Sequence, residues 1–294
     1  MNRPLLALLT FLLLAAPAAM AADAAADAGK PMLTAPVGLQ LYSLRTQFQH
    51  DGVPKTLDRV KALGFKYVEL AGTYNLPADK FKAMLDERGL IPISGHFPYD
   101  RFKNEPEKVA VEAKALGLQY AGCAWISHKA PFNEQAARDA ITVFNKAGRV
   151  LADNGVKLYY HNHGYEFHPY QDGTLFDLML KETDPTLVFF QMDILWVILP
   201  GQDPAKLLAK YPDRWVFTHL KDLKKGVPTG NLSGGTDVRN DVALGTGQVD
   251  YPALFAAAAK SAVKYHFIED ESPTVVDQLP QTLKFLEQFQ PPQK

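Results

Sequence analysis

The sequence predicts an α/β fold, a (β/α)8 TIM barrel in a single domain, from three observations. Short β-type runs alternate with amphipathic stretches of helical period eight times between Val37 and Phe289. Glycine punctuates the ends of four helical stretches, and a span of ~250 residues is that of an eight-unit barrel. A doubly wound open sheet would alternate in the same way, but no G-x-G-x-x-G run opens after the first strand.

In chain order, strands are expected near 37–42, 66–70, 91–96, 119–125, 156–161, 187–193, 214–220 and 264–270. Helices are expected near 54–63, 78–89, 105–116, 133–154, 174–182, 203–211, 250–261 and 276–289. Leu57, Val60, Leu63 and Leu116-Gly117-Leu118 supply apolar faces that would pack on the outside of a sheet. Gly64, Gly89, Gly117 and Gly155 stand where a helix ends in a left-handed residue. Asp203-Pro204 and Asp250-Tyr251-Pro252 read as N-terminal caps with proline in the first turn. The one long loop, Lys224 to Gly247, follows the seventh strand and would lie over the active face of a barrel, where it could act as a lid.

Ahead of the barrel, Arg3, the apolar run Leu5–Leu14 and Ala19-Met20-Ala21 read as a signal peptide over residues 1–21. Residues 22–36 read as a flexible tether and 37–290 as the barrel. The apolar run is half of the ~20 residues that a membrane span needs. No cysteine follows the leader, so no membrane anchor is expected and the address is periplasmic or secreted. A net charge of −1 argues against nucleic acid as a partner, and 47% hydrophobic content against disorder. The single cysteine, Cys123, excludes an intrachain disulfide or a cysteine cluster and reads as a small core residue.

A parallel barrel places chemistry at the C-terminal ends of its strands. The first four ends offer Gln40, Tyr42, Glu69, His96 and Trp125. The last four carry pairs at i and i+2, which share a face: His161/His163, Gln191/Asp193, His219/Lys221 and Glu269/Glu271. Ionisable groups facing inward on four successive strands are costly unless paired or bound to metal. Two imidazoles and two carboxylates would suit a divalent ion such as Mn²⁺, Zn²⁺ or Fe²⁺. The bland alternatives are a Glu269–Lys221 ion pair and Asp193 as a helix cap. His50, His128, His168 and His266 carry little weight, since they fall on loops or off the inward face.

These strand ends resemble the xylose-isomerase-like barrel superfamily, in its sugar isomerase/epimerase branch. The matching pieces include Gly38-Leu39-Gln40-Leu41-Tyr42-Ser43-Leu44-Arg45, Gly64-Phe65-Lys66-Tyr67-Val68-Glu69, His161-Asn162-His163, Asp193 with Trp196, and His219-Leu220-Lys221-Asp222. Gly245-Thr246-Gly247-Gln248-Val249-Asp250 completes the set. The resemblance implies a metal held by Asp193, His219 and Glu269, with His161 standing where a glutamate is usual. It implies a sugar isomerase or epimerase that removes a proton beside a carbonyl. Members with His-x-His on the fifth strand resemble lyases of keto-inositols and oxidised glycosides, so cleavage of a 3-keto-glycoside is the alternative. Glu269 is then the expected base, with His163 or Glu166 returning the proton; the alternative for Glu166 is a salt bridge or the ordering of its loop. Lys221 is expected to neutralise charge on the substrate, and Gln40, His96 and Trp125 to bind its hydroxyls or ring face. The expected partner is a small-molecule sugar or glycoside.

Overall fold

A computed structural model describes residues 33–290. The expected signal peptide (1–21), and all but the last four residues of the expected tether (22–36), lie outside them. Those four are anchored. Leu33 is buried and its N–H donates to Phe289 O at 3.2 Å, and Pro36 O accepts from His266 N at 2.9 Å.

Eight parallel strands close into a barrel: β1 (Val37–Gln40), β2 (Tyr67–Leu70), β3 (Ile91–His96), β4 (Tyr120–Cys123), β5 (Lys157–His161), β6 (Val188–Asp193), β7 (Trp215–Leu220) and β8 (Tyr265–Ile268). Each pairs with its neighbour in the chain, and β8 returns to β1 through Leu39↔Ile268. The eight helices also lie where expected, from Val53–Ala62 to Val275–Glu287. Gly64, Gly89, Gly117 and Gly155 adopt φ between 68° and 86°, the left-handed helix ends that the spacing implied. Asp203 and Asp250 cap as expected, accepting from Lys206 N and Ala253 N.

Three strands end earlier than the sequence suggests, and local hydrogen bonds explain two of them. Gln40 Oε1 accepts from Tyr42 N at 3.1 Å and turns the chain into a 3-10 turn, Leu41–Leu44. After β8, Ser43 Oγ accepts from Asp270 N, and Asp270 Oδ1 from Ser272 N. Tyr42, Trp125 and Glu269 therefore sit on the loops just past the strands, at the rim of the barrel. Short helices at Arg45–His50, Tyr99–Asn104 and Ile194–Ile198, read as loop from the sequence, thicken the same rim.

The barrel interior is layered. Ile93, Tyr120, Tyr159, Phe217 and Phe267 form an apolar plug, with ring centroids 4.8–5.4 Å from Phe217 to Tyr120, Tyr159 and Phe267. Space for these rings comes from glycine on neighbouring strands. A Cβ at Gly122 would run into the Tyr159 ring, and one at Gly38 into Phe267. Above the plug lies a layer of buried polar groups, and above that the candidate site.

Gly122→Ala should therefore destabilise by about 1–3 kcal/mol through overpacking, roughly 2–4 °C in Tm per kcal/mol for a domain of this size. Val111→Ala, at a helix position open to solvent, should leave Tm within the ~0.5 kcal/mol expected of surface changes. Thermal unfolding of the two variants side by side checks the argument. Equal melting temperatures would remove it.

Candidate active site

The polar layer is organised by Glu69, which β2 holds fully buried on the barrel axis side. Its Oε1 accepts from Gln40 Nε2 and His219 Nε2, both at 2.6 Å, and lies 3.3 Å from His96 Nε2. Its Oε2 accepts from Ser94 Oγ at 2.6 Å, and from Tyr159 OH and Gln191 Nε2, both at 2.9 Å. Burial alone would raise its pKa, but His96 and His219, with the hydrogen bonds, bring it down to about 2. A carboxylate with this many donors is ionised in the folded protein.

That charge fixes the orientation of the metal-type nitrogens above it. His219 turns Nε2 to Glu69, which leaves Nδ1 facing Glu269 Oε2 at 3.1 Å. Gln191 points its NH₂ at Glu69, so its oxygen meets His161 Nδ1 at 2.9 Å, and the Nε2 of His161 faces Asp193 Oδ2. Burial and the neighbouring histidines His219, His163 and His96 keep His161 neutral, its pKa well below the usual range.

Asp193 supplies the strongest sign that an ion fits here. Its Oδ1 caps the helix Ile194–Ile198 by accepting from Trp196 N, as the bland reading expected. Its Oδ2 is fully buried and has no hydrogen-bond partner. That oxygen lies 3.7 Å from His161 Nε2, His219 Nδ1 and Lys221 Nζ alike. Such spacing is too long for hydrogen bonds, and is close to the ~3.3 Å between ligand atoms around a tetrahedral Zn²⁺-type ion. Asp193, His219 and Glu269 each bring a ligand atom within 4.8 Å of the others. His96, His161 and His219 do so too, but His96 Nε2 is turned towards Glu69 and Gln191. A mixed N/O set of His161, Asp193, His219 and Glu269 thus fits a divalent ion, and the carboxylates that favour a proton on His219 Nδ1 favour a cation there as well.

Lys221 stands beside this group, fully buried, 2.6 Å from Glu271 Oε1, 3.1 Å from Glu269 Oε2 and 3.8 Å from Asp241 Oδ2. Burial would strip its proton, but Glu269, Glu271, Asp193 and Asp241 hold its pKa well above the usual lysine range. Reciprocally, burial would raise Glu269, but Lys221 and His219 hold it well below, as a carboxylate. These groups open into a cavity of about 680 Å³, lined among others by His96, His161, His163, Lys221, Glu269 and Trp125.

Two expected site residues are displaced from it. Gln40 is fully buried beneath the cavity, where it serves Glu69 and the turn after β1, so it has no route to a substrate. Glu166 is also fully buried, and it accepts from Tyr160 OH and from His163 N at 2.9 Å. The left-handed turn at Gly164 (φ 90°) brings it back to Tyr160, whose side chain points to the face of β5 opposite His161, so its work is to order the loop that presents His163. Glu69 and Gln191 were visible as strand-end residues without an assigned role. A lone glutamate in the β-type run Tyr67-Val68-Glu69-Leu70 is the signal that it needs partners. Asp241 gave no signal. The Lys224–Gly247 loop delivers it through a two-residue ladder, Leu223↔Asp241.

A family profile described as xylose isomerase-like TIM barrel matches residues 57–289. An inosose dehydratase of Clostridium botulinum (strain Alaska E43 / Type E3) is 24% identical over 259 residues, covering 78% of this chain and 86% of that protein. A sugar phosphate isomerase/epimerase from Parabacteroides distasonis ATCC 8503 has a similar structure, with TM-score 0.71 and 24% identity over 85% of this chain and 93% of that one. The IOLI protein, solved with a zinc atom bound, gives TM-score 0.65 at 12% identity over 86% and 96% of the two chains.

Glu69→Gln should weaken metal affinity about 10–100-fold, as loss of an outer-shell partner does, measured by competition against a chelator. It should also change the acid response. The folded pKa of about 2 lies below the ordinary 4.5, so the folded state binds fewer protons and Glu69 stabilises above pH ~4.5. That stability is lost as pH falls towards 2, so the gap in unfolding free energy between wild type and Glu69→Gln should close over that window. A gap that stays constant would contradict the assignment.

Proposed function

The chain belongs to the xylose isomerase-like TIM barrel family, and on that premise we propose that it is a metal-dependent lyase of a keto-sugar. It would remove the proton beside a carbonyl and expel the substituent on the next carbon, as in β-elimination from a 3-keto-glycoside. The observation that carries this reading is His161. Where two-base epimerisation needs a carboxylate free to move a proton, His161 is neutral, tied through Nδ1 to Gln191, and turned through Nε2 to the ion-binding group. The inosose dehydratase relative supports the same chemistry.

A divalent ion held by His161, Asp193, His219 and Glu269 would polarise the substrate carbonyl and stabilise charge built on its oxygen. Glu269, ionised and lining the cavity, takes the α-proton. The C–H electron pair becomes the new double bond, and the bond from the adjacent carbon to the departing oxygen breaks with its pair. His163 and Lys221 line the cavity and would give a proton to that oxygen, and Lys221 also balances the charge of Glu269 and Glu271. Isomerisation or epimerisation is the second reading; it shares the first step and would use His163 as the opposite base. The N-terminal pattern further supports export, which favours an unphosphorylated sugar or glycoside as substrate.

Incubation of the metal-loaded protein with a 3-keto-glycoside and with an inosose in D₂O, followed by mass spectrometry, distinguishes these readings. Release of alcohol or water is expected. Solvent deuterium entering substrate with no group released would instead establish isomerisation. Glu269→Gln should lower kcat about 10²–10⁴-fold, the usual contribution of a general base.

A further inference from the structure

The outer part of the cavity is a different surface from its polar floor. Six large apolar side chains among the described residues are strongly exposed, and three of them line this one cavity: Tyr42 (43%), Trp125 (45%) and Val238 (41%). The other three, Ile91, Val111 and Val276, are aliphatic and absent from its lining. Exposed apolar residues scattered singly need no explanation, but a convergent group beside a reactive centre marks a binding surface. Phe97, Pro98 and Leu195 continue the same wall.

Both exposed rings are held in place from behind. Trp125 stacks on His128 (5.6 Å between centroids, 26°) and meets Tyr165 edge-on at 4.7 Å, and Tyr165 OH is pinned by Ile126 N at 2.9 Å. Tyr42 lies under the Arg45 guanidinium at 4.6 Å, which donates to Glu271 O at 2.8 Å. Rings already ordered lose little entropy when a ligand stacks on them. Gly234, at φ +72°, lies against Trp125 and Tyr165, where a Cβ would crowd both rings. The loop after β7 thus forms part of the wall without filling the cavity.

The volume of about 680 Å³ falls within the range of pockets that bury drug-sized ligands, and exceeds what one monosaccharide fills. A second sugar ring would bring hydroxyls to a wall with few partners for them. The wall's hydroxyls are those of Tyr42 and Thr236, the latter already accepting from Asn240 Nδ2 at 3.0 Å, too few for the several hydroxyls of a second ring, and buried hydroxyls left unpaired are costly.

We propose that this wall is a subsite for the leaving group, a planar aryl aglycone carried by the sugar that occupies the polar floor. The aglycone stacks on Trp125 and Tyr42 and packs against Val238. The class of substrate is therefore an aryl glycoside rather than a free sugar or an oligosaccharide. This rests on the glycoside-cleaving reading above, but binding can be tested apart from turnover.

Methyl and phenyl glycosides of glucose, galactose and xylose, with methyl cellobioside as the disaccharide, are titrated into the metal-loaded protein by calorimetry. At least one phenyl glycoside should bind tenfold or more tighter than its methyl counterpart. Tyr42→Ala and Val238→Asp should each erase most of that ratio. Trp125 is the exposed tryptophan of the three, since Trp196 and Trp215 are buried, so its fluorescence should shift with the phenyl ligands alone. Equal methyl and phenyl affinities, or tighter binding of the disaccharide, overturn the subsite. A phenyl preference that the two variants abolish, in a protein that releases nothing from any keto-glycoside, supports the subsite and sinks the lyase reading. Efficient release of methanol and phenol alike from the 3-keto forms leaves the lyase and overturns the subsite.

Discussion

Removing Glu69 from water is the constraint on which the barrel and its site both depend. A buried carboxylate is tolerated only when its lone pairs are all used, and those of Glu69 are used by side chains from five strands: β1, β3, β5, β6 and β7. The demand propagates outward. Gly122 must be small so that the Tyr159 ring can cross the interior and bring its hydroxyl to Glu69. Gln191 must direct its amide N–H₂ inward, which leaves its oxygen for His161. His219 must give Nε2 to the carboxylate, which leaves Nδ1 facing Glu269 and Asp193. The group that specifies how the strands meet thus also fixes which nitrogen each histidine would offer to a metal.

The period-2 pattern of the strands made the barrel and the inward faces legible, because one residue of register moves every side chain to the other face. It was silent about depth. Gln40 and His96 both point inward from strand ends, yet Gln40 lies under the Glu69 carboxylate and His96 reaches the cavity. Depth is set by strand tilt and stagger around the closed barrel, which no single strand encodes. The sequence leaves Glu166 two readings, reaching the site or ordering its own loop, and the second is what the hydrogen bonds show. Its position three residues past His163 suggested reach, but the left-handed turn at Gly164 reverses its direction. Asp241 lay beyond any local signal, since a long loop folds back to place it near Lys221. The convergence of His161, Asp193, His219 and Glu269 was legible because inward-facing charged or imidazole groups on four successive strands need one another as partners.

Charge explains why a histidine suits the fifth strand of this chain. Glu69, Asp193, Glu269 and Glu271 already crowd the upper barrel, and Lys221 is the buried ammonium set among the last three. A further carboxylate at position 161 would face Asp193 Oδ2 at close range, and like charges held together push one another towards protonation. A neutral imidazole keeps a lone pair for a cation without adding charge. It therefore leaves Glu269 ionised and its proton affinity under the control of Lys221 and His219. The cost is symmetry: an imidazole tied through Nδ1 to Gln191 and turned through Nε2 to Asp193 is no counterpart to Glu269, so in the proposed reaction the return of a proton falls to His163 or Lys221. A carboxylate to take a proton, with only N–H groups to give one back, would suit expelling a group better than inverting a centre, and the apolar mouth would give that group somewhere to go.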